Sequence, residues 1–239
     1  MTDPSPPIRC HGLTVGYDGV PVLEDVSFTI NAGDTMALVG PSGSGKTTVL
    51  KTLAGILPPF QGEAIVLGHR LPATPPAGSV GYIPQRLGLV PHEPVQKNVL
   101  HGRLAELGRM RSFLGTFPAA AVEDAVTAID QVGLSGLEHK RVKELSGGQQ
   151  RRVAIARAFL QEPQVLLADE MLSELDQDTT ESIVRCLTTL KAETGMTVVM
   201  VEHNLTVAHE IADVVLSVSE DGVVEAATAD TKWNRGCDG

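Results

Sequence analysis

The 239-residue chain is predicted to adopt an α/β fold: a parallel-sheet core, an antiparallel β subdomain near its start and an α-helical insert in its middle. Three features of the pattern predict this. Short apolar runs at 35–39, 80–83, 165–168, 197–201 and 214–218 suit buried strands, and helical stretches separate the later ones. Residues 8–30 instead alternate with period two, as strands with one wet face do. Between about 88 and 160 strand signals vanish, and helical segments broken by Gly and Pro replace them.

Taken in order, the runs 8–11, 13–15 and 26–30 read as strands, and Asp18-Gly19 as the hairpin turn between two of them. Thr35–Val39 is a strand feeding a glycine loop. Lys46–Ile56 reads as a helix stopped by Pro58-Pro59. Strands follow at 63–67 and 80–83. Within the insert, 119–132 is amphipathic at helical spacing, and 146–160 is a second helix ended before Pro163. The division is an α/β core with its β subdomain at 1–87 and 161–220, a helical subdomain at 88–160 and a short patternless tail at 221–239.

Acids outnumber bases 29 to 19, a net charge of -10, which argues against nucleic acid as a partner. A local basic cluster remains at Arg141, Lys143, Arg151, Arg152 and Arg157. Cys10, Cys186 and Cys237 form no disulfide or zinc pattern and fit a reducing compartment. The start, Met1-Thr2-Asp3-Pro4, lacks the basic and apolar regions of a secretory signal. No apolar run approaches the ~18 residues that a membrane span needs.

Gly40-Pro41-Ser42-Gly43-Ser44-Gly45-Lys46-Thr47 fits G-x-x-x-x-G-K-[ST] in full. Its glycines let backbone N–H groups turn inward around phosphate oxygens, and the following helix presents its N-terminus. Lys46 is expected to reach the β- and γ-phosphates and Thr47 to ligate Mg²⁺. Asp169 and Glu170 end an apolar strand, where ligands of such sheets sit. Asp169 would hold Mg²⁺ through water, and Glu170 would act as general base on the attacking water.

Leu145-Ser146-Gly147-Gly148-Gln149 opens the helix of 146–160. A serine at a helix start is ordinarily an N-cap. Capping does not require two glycines next. Bare backbone there lets a phosphate approach the N–H groups, with the helix dipole favouring the anion.

With these three motifs the chain resembles the ATP-binding cassette (ABC) family over nearly its whole length, with a P-loop NTPase (RecA-like) core. The resemblance implies that the pentapeptide of one subunit completes the ATP site of another, with Ser146 and Gly148 touching the γ-phosphate in trans. It implies that Gln85 senses Mg²⁺ and contacts a membrane partner, that His203 contacts the γ-phosphate and that Tyr17 stacks on adenine. The nucleotide-binding set is then Tyr17, Gly40, Pro41, Ser42, Gly43, Ser44, Gly45, Lys46, Thr47, Thr48, Ser146, Gly147, Gly148 and Gln149. The metal set is Thr47, Gln85 and Asp169, and the catalytic set is Glu170, His203 and Lys46. ATP and Mg²⁺ are the implied cofactors.

The loop Met171-Leu172-Ser173-Glu174-Leu175-Asp176 departs from the family pattern, which usually has proline after the catalytic glutamate. Met171 predicts a less rigid loop, and Glu174 adds charge at the expected dimer seam. One cassette with no span and no long coiled coil favours a transporter subunit over soluble relatives that act on ribosomes or DNA. A phosphate-loop kinase leaves the Ser-Gly-Gly segment unexplained. The expected partners are integral-membrane permease subunits, a second cassette (the same or a related chain) and, in an importer, a solute-binding protein. The expected location is the cytoplasmic face of the membrane. Residues 98–104, 112–118 and Leu167-Ala168-Asp169-Glu170 resemble phosphonate-importer ATPases. Importers of metals or amino acids, and exporters, remain open at this point.

Overall fold

A computed structural model describes residues 5–106, 117–173, 175–219 and 224–228. Strands β1 (Ile8–Tyr17), β2 (Val20–Ile30), β4 (Gln61–Val66) and β5 (His69–Arg70) form an antiparallel sheet in the order β2-β1-β4-β5. Asp18 and Gly19 both take positive φ, as a two-residue type I′ hairpin requires, and Tyr17 pairs with Val20 across it. The two short runs expected at 8–11 and 13–15 are one strand. Gly12, at positive φ, sits where the register shifts, so an irregularity rather than a break separates them.

The second sheet has the order β10-β9-β3-β8-β7-β6, built from β3 (Thr35–Val39), β6 (Val80–Ile83), β7 (Val165–Asp169), β8 (Thr197–Glu202), β9 (Val214–Val218) and β10 (Val224–Thr228). All neighbours are parallel except β10, which pairs antiparallel with β9. Within the tail expected at 221–239, the described residues Val224–Thr228 form a strand, and the rest lies outside the described residues. An edge strand needs only main-chain pairing to β9, which side-chain pattern signals weakly.

The central strands are buried on both faces, and alternate residues supply two cores. Met36, Leu38, Val165, Leu167, Val199 and Val201 face α1 (Lys46–Leu53) and the antiparallel sheet. Ala37, Val39, Leu166, Ala168, Val198 and Met200 face the helical side. That side includes α2 (Val95–Leu100), a 3₁₀ turn at His101–Glu106, α3 (Ala119–Gln131), α4 (Gly147–Phe159), α5 (Gln177–Thr194) and α6 (Leu205–Ile211).

Helix α1 ends at Leu53, three residues short of the expected Ile56. Gly55 takes positive φ one residue after the C-cap Ala54 and releases the chain before proline is reached. Asn98, fully buried in α2, anchors the start of the helical region. Its Oδ1 accepts the Val90 N–H at 2.7 Å, and its Nδ2 donates to the carbonyls of Val90 and Pro94, each at 3.1 Å.

Candidate functional site

Four adjacent parallel strands end at one edge of the sheet, and each delivers a motif there. β3 runs into the glycine loop, β8 into His203, β7 into Asp169-Glu170 and β6 toward Gln85. Their registers coincide: Val39 pairs with Glu202, Val201 with Asp169, and Ala168 with Ile83. Motifs up to 163 residues apart in sequence therefore share one small volume.

In the glycine loop, Gly43 and Gly45 take φ near 84° and 93°, which only glycine adopts without strain. A Cβ on Gly43 would meet nothing within 4 Å, so the loop crest is open toward a ligand. Lys46 is 3% exposed, and its ammonium donates to the carbonyls of Gly40 (2.8 Å) and Pro41 (2.6 Å) and to Ser44 Oγ (3.3 Å). Burial lowers its pKa, while the charges of Glu170 and Asp169 pull the other way. Thr48 is buried, so any role toward a nucleotide falls to its main chain. Tyr17 ends β1, half-exposed, with Lys51 Nζ of α1 at 3.3 Å from its hydroxyl and 5.7 Å from its ring centre.

Thr47 Oγ1 donates to Asp169 Oδ1 at 2.8 Å, bringing together two of the three residues expected to hold a metal. Burial raises the Asp169 pKa, against the hydrogen bond from Thr47. The nearby Tyr82 hydroxyl is pushed up to about 12 by burial and by the charge of Asp169. Among the described residues no three His, Cys, Asp or Glu side chains form a metal cluster. One hydroxyl and one carboxylate suit Mg²⁺, which keeps most of its ligands as water and phosphate oxygens.

Gln85, the third expected metal residue, is turned to Glu170: its Nε2 donates to Glu170 Oε2 at 2.6 Å. The other carboxylate oxygen, Oε1, lies 2.6 Å from His203 Nε2, and His203 Nδ1 lies 3.3 Å from the Gly40 carbonyl. Both ring nitrogens thus lie against oxygen atoms. Glu170 itself sits at φ 49°, unusual for a residue with a side chain. Its N–H donates to Val201 O at 3.0 Å, and its carbonyl accepts from Ser173 Oγ at 2.8 Å. The surrounding turn holds the strained conformation in place.

Ser146 is the N-cap of α4 in a complete capping box: its Oγ accepts from Gln149 N–H at 3.3 Å, and Gln149 Oε1 accepts from Ser146 N–H at 3.0 Å. The two glycines that follow differ. A Cβ on Gly148 would lie 2.5 Å from Thr179 Cγ2, so any side chain there must displace Thr179. A Cβ on Gly147 would meet nothing closer than Arg151 Nη1 at 3.8 Å, so nothing among the described residues requires glycine.

The first three residues of the loop after Glu170 are held by distant side chains. Met171 is 1% exposed, and Arg151 of α4 donates to the carbonyls of Met171 (2.6 Å) and Ser173 (2.5 Å). Buried Glu202 accepts the Leu172 N–H at 3.3 Å between them. Guanidinium and carboxylate thus replace the restraint a proline ring would supply. Glu174 lies outside the described residues. In the sequence Arg151 stands out only as part of a basic cluster, and nothing local marks Glu202. Their partners lie 20 and 30 positions away, with no local spacing to reveal them.

Comparison with known proteins agrees with this geometry. The family pattern described as ABC transporter matches residues 23–173. Phosphonates import ATP-binding protein PhnC 2 of Nostoc sp. is 36% identical over 231 residues, 93% of each chain. Sulfate/thiosulfate import ATP-binding protein CysA 1 of Agrobacterium fabrum is 37% identical over 232 residues, 95% of this chain and 65% of that one. An ATP-binding cassette solved as a dimer in a post-hydrolysis state with ADP and Pi superposes with a TM-score of 0.78 at 27% identity, covering 94% of this chain and 99% of that one. A nucleotide-free cassette from an ABC transporter gives a TM-score of 0.80 at 24% identity over 92% of this chain and 90% of its own. With its glycine loop, paired strand-end acids and capped Ser-Gly-Gly helix in these positions, the chain belongs to the ABC transporter family.

Proposed function

We propose that this chain is the ATP-hydrolysing subunit of a membrane importer for phosphonate or a similar oxyanion. The observation that carries the hydrolytic reading is the bridge at Glu170, one oxygen to Gln85 Nε2 and the other to His203 Nε2, beside the Thr47–Asp169 pair. Glu170 takes the proton of the attacking water as its oxygen bonds to the γ-phosphorus and the bond to the bridging oxygen of ADP breaks. Lys46 and the loop amides neutralise the charge on the transferred phosphoryl group. Thr47 and Asp169 would hold Mg²⁺, which supplies further charge neutralisation there. His203, anchored to Gly40 O, orients the Glu170 carboxylate, and Gln85 couples the same carboxylate to the helical side.

The Ser146–Gly147 helix start makes no hydrogen bond to this cluster and serves a second cassette. The bare Gly147 supports that role, and so does the dimeric state of the solved relative. Among the described residues no helix is long and apolar enough to cross a membrane, so transport requires permease subunits. The substrate class rests on the relatives: phosphonate and sulfate importers both carry tetrahedral oxyanions.

Two measurements test the proposal. Glu170→Gln should bind ATP, accumulate an ATP-dependent dimer and hydrolyse ATP at least ~10²-fold slower; undiminished turnover removes Glu170 as the base. In vesicles with its permease and solute-binding protein, phosphonate should stimulate ATP hydrolysis. Stimulation by a metal ion or amino acid instead would overturn the substrate class.

A further inference from the structure

We infer that Arg151 is a positioning residue for hydrolysis, which locks the turn after Glu170 to the helix that carries Ser146. The turn is held at three successive residues. Arg151 Nε donates to Met171 O at 2.6 Å and its Nη2 to Ser173 O at 2.5 Å. Between them the Leu172 N–H donates to Glu202 Oε1 at 3.3 Å. A cation thus takes the two carbonyls and a carboxyl oxygen takes the intervening amide, each arriving from a different element.

The geometry makes the guanidinium hard to replace. Its planar fork presents two donors in fixed relation, whereas an ammonium is a single point charge. The carbonyls it grips follow Glu170 directly, whose main chain is at φ 49° and therefore leans on its surroundings to stay there. Releasing the carbonyls at 171 and 173 lets Glu170 relax and its carboxylate shift from His203 and Gln85. Arg151 touches neither the carboxylate nor any phosphate-loop residue in its hydrogen bonds. Its effect therefore falls on the chemical step and not on ATP capture.

The helix is the second half of the device. Arg151 lies on α4, five residues after the capping serine, and Gly148 packs on Thr179 just beyond the same turn. Arg152, the next residue, donates to Val132 O at 3.0 Å and Ser182 Oγ at 2.5 Å. Helix α4 is thus tied to the Glu170 turn through Arg151 and to the neighbouring helices through Arg152. A displacement of the Ser146 end on meeting a second cassette is delivered to Glu170 by Arg151.

The inference rests on Glu170 being the general base, and the test separates the two. In the full chain, Arg151→Gln should lower kcat for ATP at least ~10-fold while KM stays within ~2-fold, since misplacing a reacting group by ~1 Å costs up to ~10²-fold. Hydrogen exchange should accelerate at the amides of 170–173 and stay unchanged in the glycine loop at 40–47. Arg151→Lys, which keeps the charge but cannot bridge both carbonyls, should lose at least ~3-fold in kcat. If Arg151→Gln fails to fold, the lysine variant decides alone, and wild-type kcat there overturns the inference. A folded Arg151→Gln with wild-type kcat, or with KM and kcat degraded together, also overturns it. Glu170→Gln runs in parallel: if it still turns over, the base assignment falls and the inference with it. If it is inactive while Arg151→Gln is normal, only the role of Arg151 falls.

Discussion

Glu202 ends β8 with 3% of its surface exposed, and burial raises its pKa from the ordinary 4.5 to about 7. The charges of Glu170 and Asp169 add to that rise, and the Leu172 N–H and Arg151 oppose it. The sign of the stability effect follows. A carboxyl whose folded pKa lies above its unfolded value favours the fold when protonated. That contribution is complete below about pH 4.5, declines as pH rises and is gone above about 7. The interval corresponds to about 3 kcal/mol. Glu202→Gln keeps an oxygen to accept the Leu172 N–H but never ionises. It should therefore be more stable than wild type by about 3 kcal/mol at pH 8 and by well under half of that at pH 5. For a chain of this size about 3 kcal/mol corresponds to roughly 6–12 °C in Tm. Thermal unfolding of both proteins from pH 5 to 8, without nucleotide or Mg²⁺, measures it. A Tm difference equal at both ends of the range would falsify the reasoning, because a simple packing change does not depend on pH.

Two further outcomes follow from the contacts described above. Asn98→Ala strips the Val90 N–H of its acceptor and removes the Nδ2 donor from the carbonyls of Val90 and Pro94, which keep main-chain partners, and should destabilise the fold by about 1–3 kcal/mol in urea unfolding; a loss under about 0.5 kcal/mol means the helical region relaxes around the gap. Gly148→Ala should cost about 1–3 kcal/mol by pushing on Thr179, whereas Gly147→Ala should leave Tm within a few degrees yet weaken the ATP-dependent dimer in the Glu170→Gln background. A Gly147→Ala protein that dimerises as its parent does removes the reason for bare backbone at that position.

Much of the site is legible because phosphate chemistry writes locally. The glycine loop, its lysine and its threonine are contiguous, and the strand before and the helix after are signalled by their own periodicity. Asp169-Glu170 is legible because two adjacent acids behind a buried apolar run are costly unless used. Tyr17, Gln85 and His203 are single residues, and only their order among stronger motifs picks them out. Met171 shows where such reading fails. Losing a proline removes a local restraint, but whether the loop loosens depends on distant hydrogen-bond partners, and Arg151 as donor and Glu202 as acceptor supply them.

Local chemistry and periodicity thus specified the α/β class, the course of most strands, the phosphate loop and the pair of acids. Each of these is encoded within a few consecutive residues. Packing added the coincidence of the four strand ends, the grip of Gln85 and His203 on one carboxylate, the edge strand Val224–Thr228 and the separate reasons for Gly147 and Gly148. These depend on which strand lies beside which and on side chains reaching tens of residues along the chain. Such proximity comes into being only when the sheet closes and both of its faces are buried.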